Sequence, residues 1–201
     1  MKQNFYRIII LIILVNMSFK PAFSKTEEPK YQVLTKENNI EIRNYEANII
    51  AEVTVHGQRK AAASSAFRIL ADYIFGNNEQ NIKISMTAPV RQYLAKADFT
   101  PEAKEAWNIS FIMPSKFTYA ALPAVNNPEI KLRKLNKRKY LVIRFSGLAS
   151  DGKLKEALEE LRYYVKINEL RVKESVLFAF YNPPWTLPFL RRNEIMLELI
   201  N

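Results

Sequence analysis

A strand-like stretch of this chain recurs at an offset of 90 residues, and that recurrence limits the architecture more than any other feature. Ile40-Glu41-Ile42-Arg43 faces Ile130-Lys131-Leu132-Arg133, and IAEVTVHG at 50–57 faces YLVIRFSG at 140–147. In both copies a short strand, a turn and a second strand end at a glycine, and a helical pattern follows. Ala51, Val53 and Val55 alternate with polar residues, and Leu141, Ile143 and Phe145 keep the same period. A period of two marks strands buried on one face. Self-similarity of this kind predicts two like halves.

The first helix is expected over 58–74, with Ala63, Phe67, Leu70 and Ile74 on one face at spacings of four, three and four, stopped by Gly76-Asn77. The second is expected over 152–165, with Leu154, Ala157, Leu158, Leu161 and Val165 as its apolar stripe. Ser150 or Asp151 can cap it by accepting a free backbone N–H. Further strands are expected at 82–86, 109–113, 176–181 and 195–199, the first three ending at Pro89, Pro114 and Pro183-Pro184. Proline belongs at strand ends because it cannot donate to the ladder. Residues 95–106 and 115–128 lack periodicity and read as surface loops. Short connections favour antiparallel neighbours. The expected class is α+β: an antiparallel, strongly curved sheet, a distorted β-barrel, flanked by two helices with an internal pseudo-two-fold duplication.

Residues 1–24 read as a targeting segment. Lys2 and Arg7 give a positive start, IIILIILV at 8–15 is purely aliphatic, and Ala22-Phe23-Ser24 is a small-x-small cleavage pattern. The apolar run is far short of the roughly 20 residues that span a bilayer. The expectation is cleavage after Ser24 and a periplasmic or secreted chain, residues 25–201 forming a single domain. The chain has no cysteine, so an exported fold of this kind must stand on its core and not on disulfides. Removing Lys2, Arg7 and Lys20 from 30 cations leaves 27 against 20 acids, a net charge of +7. Export points away from nucleic acid and towards an anionic small molecule or a membrane face, although positive charge also serves solubility alone.

Two segments carry a family resemblance. KISMTAPV at 83–90 and YNPPWTLPFLRRNE at 181–194 resemble signature stretches of the SOUL/heme-binding protein family, and EIRNY at 41–45 and DYIFGN at 72–77 before the first, with WNISFIMP at 107–114 between the two, fit as well. The resemblance runs from about Tyr31 to Leu199. It implies a small domain, expected to act as a monomer, that holds haem or another tetrapyrrole in an apolar groove against the first helix. Phe67 and Ala71, at i and i+4, are the candidates for that face. Arg59, Lys60 and Arg68 are candidates to meet porphyrin carboxylates through charge-assisted bonds. Met86, inside the first signature, is a candidate contact, although core packing is its favoured reading. For Arg191 and Arg192 the favoured reading is structural: with Glu194 they tie the last strand to the proline loop.

Catalytic chemistry finds little footing. There is no cysteine and no G-x-S-x-G elbow. His56 is the single histidine, so it would have to serve any Ser–His pair, and the preferred reading is an exposed turn residue. A structural zinc site lacks the ligands it needs, and no metal site built from side chains is expected. Bis-histidine haem ligation is ruled out by supply, leaving His56 or a methionine as conceivable axial groups. The run KLRKLNKRKY at 131–140 is expected as a basic hairpin that guards a sheet edge; contact with anionic lipid is its weaker reading. The leading function is an exported, non-catalytic tetrapyrrole-binding protein. The alternatives are a general binder of amphipathic anionic small molecules and an envelope interaction protein acting through the basic hairpin.

Overall fold

A computed structural model describes residues 26–96, 99–100 and 104–200; the expected signal segment lies outside them. The described chain runs β1 (Tyr31–Glu37), β2 (Ile40–Tyr45), β3 (Asn48–Gly57), α1 (Arg59–Ile74), β4 (Val90–Leu94), β5 (Glu105–Ile112), β6 (Lys131–Leu135), β7 (Arg138–Phe145), α2 (Asp151–Ile167), β8 (Val172–Phe180) and β9 (Asn193–Leu199). All nine strands join one sheet in the order β1-β2-β7-β9-β8-β4-β5-β3-β6. The ladders between neighbouring strands are antiparallel. The fold is therefore α+β as expected, with a sheet that curls without closing: β1 and β6 remain its edges.

The duplication is visible in that order. Leaving out β1, the sheet reads the same from both ends: β2, β7, β9 and β8 on one side answer to β6, β3, β5 and β4 on the other. The halves are not separate lobes. β2 pairs with β7, Ile42 opposite Leu141, and β6 pairs with β3, Arg133 opposite Ile50. Each half thus gives its first strand to the second strand of the other. This corrects the expected basic hairpin. β6 and β7 follow each other in sequence but lie far apart in the sheet, so 136–137 is a corner between two ladders. A short link favours a hairpin only when the two strands have no better partners.

One face of the sheet is covered by both helices. Its core includes Ala51, Val53, Trp107, Ile109, Phe111, Leu141, Ile143, Phe178, Ile195 and Leu197 with Leu70, Tyr73, Leu154, Leu158 and Leu161 from the helices. Alternation places these on every second strand residue. α2 follows its expected stripe, and Ser150 accepts from the Lys153 N–H at 3.3 Å as its N-cap. α1 is rotated from expectation: Ala62, Ala66, Leu70, Tyr73 and Ile74 are buried, whereas Phe67 stays exposed. Small residues at 62 and 66 let the helix lie close on the sheet, which turns Phe67 towards the rim.

Two more expectations are corrected, and one strand was not foreseen. Residues 82–86 form no strand; β4 begins after Pro89 instead of ending before it. β1 escaped the pattern because, apart from the partly covered Tyr31, it is exposed along its length and has no apolar face to betray it. Arg59 does not reach outward. Its guanidinium donates to Asp151 Oδ1 at 2.7 and 3.0 Å, to Gln92 Oε1 at 3.1 Å and to the Ala149 carbonyl at 3.2 Å, joining the starts of the two helices.

Burial alone would raise the Asp151 pKa, but the bonds and charges of Arg59 and Lys60 outweigh it and hold the carboxyl below its ordinary value. Because the folded value is depressed, the stability that this group supplies is present above pH 3.8, its ordinary value, and is lost as the pH falls through the folded value. Arg59→Ala should lower stability by about 2–3 kcal/mol in urea unfolding with an unchanged m-value. It should also flatten the acid limb of the stability profile below pH 3.8. An unaltered acid limb would show that Asp151 owes nothing to Arg59.

Candidate functional site: an outer apolar ledge and an inner tyrosine cleft

The expected site residues Phe67, Arg68 and Ala71 lie on α1, and Met86 on the segment that follows it. Phe67 is 41% exposed, and its ring meets the edge of the buried Phe111 at 5.2 Å between centroids. Ala71, one turn on, is nearly covered, and Phe75 at the end of α1 is 67% exposed. The chain then folds back beside the helix. Asn78 fixes that return: its amide donates to the Tyr73 and Ile82 carbonyls at 3.0 and 2.8 Å, and its oxygen accepts from the Ile82 N–H at 3.0 Å. The Ile84 N–H donates to the Ile74 carbonyl at 2.8 Å. Ile84 points inward while Ile82 and Met86 stand exposed on either side of it. The Thr87 hydroxyl donates to the Ile112 carbonyl at 2.6 Å, which sets Met86 beside the strand that carries Phe111. Phe67 and Ala71 thus lie on α1 and Met86 on the return segment bonded beside the end of that helix, and Phe75 and Ile82, both exposed where the chain turns back, are residues which the sequence reading missed.

Met86 is not a core residue. Arg68 is exposed on α1 and has no ion pair among the described residues, whereas Lys60 is held 3.1 Å from Asp151. His56 sits near the end of β3 in phase with Glu52 and Thr54, on the opposite face from α1. No cluster of three His, Cys, Asp or Glu side chains able to hold a metal occurs among the described residues.

The other face of the sheet is different in character. The curl wraps it around a tight cleft of about 30 Å³ lined by Tyr45, Tyr140, Tyr181, Leu177, Met196, Glu46 and Arg91, among others. The corners at 46–47 and 136–137 close its end. Its floor is a buried charge network. Glu194, fully buried, accepts from Arg43 at 2.9 and 3.1 Å, from the Tyr181 hydroxyl at 2.8 Å and from Arg192 at 2.8 Å. Arg43 also donates to the Tyr45 hydroxyl at 3.0 Å and to Glu41 at 2.7 Å. Arg192 reaches Glu28 at 2.8 Å, which straps the N-terminal segment across the sheet. Arg191 donates to the Thr186 carbonyl at 2.7 Å and to that of Pro184. The arginine pair is structural, as expected. The sequence did carry a sign of this face: Arg43 with Tyr45, and Arg91 with Tyr93, alternate against the apolar set.

Residues 26–198 match the description SOUL heme-binding protein. The chain belongs to the SOUL family. Among its relatives is the Homo sapiens "Heme-binding protein 2", 30% identical over 138 residues, 68% of this chain and 66% of the human protein. The Mus musculus protein of the same name is 28% identical over the same share. This SOUL chain thus spans a little under two thirds of the curated relatives it matches. Among solved structures it is similar to the C-terminal domain of EcmrR, with a TM-score of 0.65 and 11% identity over 85% of this chain and 98% of that one. A hydrolase from Listeria innocua gives a TM-score of 0.56 and 12% identity over 83% and 94%. At these identities the two structures share the SOUL fold and nothing more is drawn from them.

Burial pushes the Tyr45 hydroxyl up to about 12; the Glu194 charge adds to the shift and Arg43 opposes it. Burial and then the Glu194 charge drive Tyr181 well above its ordinary value. Both folded values lie above the unfolded one. The stability that these neutral phenols supply is complete below pH 10 and is lost as the pH rises from 10 towards 12. At pH 11 the native SOUL domain should absorb as fewer phenolates than the same chain in guanidinium, and Tyr181→Phe should narrow that gap. Equal absorbance in the two states would refute the buried network.

Proposed function

We propose that this SOUL protein is exported, binds haem or a related tetrapyrrole on the outer ledge of α1, and catalyses nothing itself. The observation that carries the reading is the exposed ledge itself. Four large apolar side chains, Phe67, Phe75, Ile82 and Met86, stand exposed on α1 and on the return segment that Asn78 pins beside it. Large apolar groups left in water around one site mark a binding surface. A flat macrocycle suits a shallow ledge, since each face that it hides from water gains roughly 25 cal/mol per Å² of apolar area, less the cost of association.

The residues fit such a ligand. Phe67 and Phe75 offer apolar ring contact, and Arg68 offers a cation for a propionate. When bound, the haem would bring its own iron and absorption band. The ledge offers the Met86 thioether but no imidazole, because His56 is on the other side of the sheet. Export rests on the N-terminal pattern, and the reading without catalysis on the sequence, which has no cysteine, no G-x-S-x-G elbow and a single histidine.

Two measurements test this. Intact mass of the protein recovered from outside the cytoplasm should match a chain that begins at Lys25; full-length chain in a membrane fraction would overturn export. Hemin titration should saturate at one equivalent with affinity on the order of micromolar, about −8 kcal/mol. His56→Ala should leave it within twofold. Phe67→Asp should weaken it at least tenfold while circular dichroism stays native, because Phe67 is already part-exposed and the fold tolerates a charge there better than hemin does. Loss of the Soret shift in His56→Ala would make that histidine a ligand and the ledge the wrong site.

A further inference from the structure

We propose that the proline loop at 182–190 is a membrane-docking element that seats the protein on a surface of anionic phospholipid. It shares no residue with the ledge, and the proposal does not depend on haem binding.

The loop exposes what a folded chain ordinarily hides. Trp185 is 82% and Phe189 70% exposed, and Leu187 and Leu190 are each more than half exposed. Leu148, also more than half exposed, is fastened to the same loop. The Gly147 N–H donates to the Pro188 carbonyl at 2.9 Å, and Asn193 donates to the Gly147 carbonyl at 3.0 Å. The display is held in place by the backbone. Pro183, Pro184 and Pro188 restrict it. The Thr186 N–H donates to the Pro183 carbonyl and the Leu190 N–H to the Leu187 carbonyl, both at 3.0 Å. Arg191 clamps the loop through the carbonyls of Thr186 and Pro184. Five large apolar side chains are thus kept in water instead of folding back onto the protein. Such a set marks contact with a protein or a membrane, and tryptophan is favoured at the membrane–water interface.

Charge decides for the membrane. Beside the loop lies an open recess of about 430 Å³ whose lining includes Lys36, Glu41, Arg144, Phe189, Leu190 and Arg191. Glu41 is the one acid in that lining, and it is matched by Lys36 at 3.0 Å and by Arg43 at 2.7 Å. Arg191 meets carbonyls and no carboxylate among the described residues. Arg144 is exposed and makes no ion pair or side-chain hydrogen bond among them. Two guanidinium groups therefore flank the apolar tip with no acid to neutralise them. Apolar burial and attraction to anionic headgroups are the two signals that surface binding combines. The basic run at 131–140 offers no such combination. Three of its cations are already paired, Arg133 with Glu52, Lys137 with Glu46 and Arg138 with Glu198, and it exposes no large apolar side chain.

All strands and helices lie after residue 25, so the test uses the chain from Lys25, free of the aliphatic run at 8–15 that would bind lipid by itself. The chain has two tryptophans. Trp107 is buried, so a change of emission reports Trp185. With vesicles of phosphatidylglycerol and phosphatidylcholine in equal parts, the protein should float with the lipid and its emission should move to the blue. Vesicles of phosphatidylcholine alone should bind about tenfold less. Trp185→Ser combined with Phe189→Ser should lower partitioning about tenfold or more, and Arg144→Gln about fivefold. Phe67→Asp should leave it unchanged. The side chains at 144, 185 and 189 are exposed, so those variants should keep the thermal melt of the parent. The proposal is overturned if the parent neither floats nor shifts, if phosphatidylcholine alone binds equally well, or if the double variant floats like the parent. It falls too if the parent sediments as a dimer that the double variant dissolves while vesicles do not bind, since the loop would then meet a second copy of this chain.

Discussion

The fold depends on an exchange of strands between its two halves. β2 is laddered to β7 and β6 to β3, so neither half can complete its sheet alone. Every other arrangement follows from this. The exchange makes one sheet out of two repeats, sets both helices on the same face, and leaves tight corners at 46–47 and 136–137. Those corners bend the sheet ends around the inner face and create the cleft. The exchange also means that most stabilising contacts join residues distant in sequence, so loop-closure entropy must be met before the ladders reward it.

The two faces of that sheet have separate tasks. The helix-covered face carries the larger apolar core, and the other face carries smaller apolar clusters around Tyr45, Tyr140, Val142, Leu177 and Met196 and around Ile50, Ile112 and Leu135. That second face also carries buried charge, which is tolerable because Glu194 is met on every side, although one Arg192 guanidinium nitrogen is buried without a partner. Glu194 is fully enclosed yet faces Arg43, Arg192 and Tyr181. A buried carboxylate with one partner removed would be severely destabilising, so this network fixes the registers of β2 and β9 against β7, which lies between them. The same network ties in the N-terminal segment through Arg192 and Glu28. Arg59 performs a related task on the helical face, where it joins the two helix starts through Asp151.

Much of this was legible in the sequence, and what was missed has physical causes. The repeat of Ile40–Arg43 at Ile130–Arg133 correctly announced two like halves, because one-faced strands must alternate. It could not announce the exchange, since a two-residue link is compatible with either a hairpin or a corner. Exposed β1 left no pattern. The 82–86 alternation is not realised: Ile84 alone is buried, while Ile82 and Met86, expected on the same face, are exposed, because the segment is held to the end of α1 and pairs with no strand. Phe67, Ala71, Arg68 and Met86 were named from spacing and resemblance; Phe67, Arg68 and Met86 stand exposed, whereas Ala71 is nearly covered. Phe75 and Ile82 join them only because Asn78 turns the chain back, a tertiary event that no periodicity reports. The tyrosine cleft was missed because its residues read as the polar half of ordinary strands.

The central claim is that haem sits on the outer ledge and not in the cleft. Hydrogen exchange of backbone amides, with and without one equivalent of hemin, tests this most directly. Slowed exchange confined to the second half of α1 and to residues 82–87 is the predicted result. Slowing at the corners 46–48 and 136–138 and at Leu177–Tyr181, with α1 unchanged, would put the macrocycle on the inner face and contradict the account.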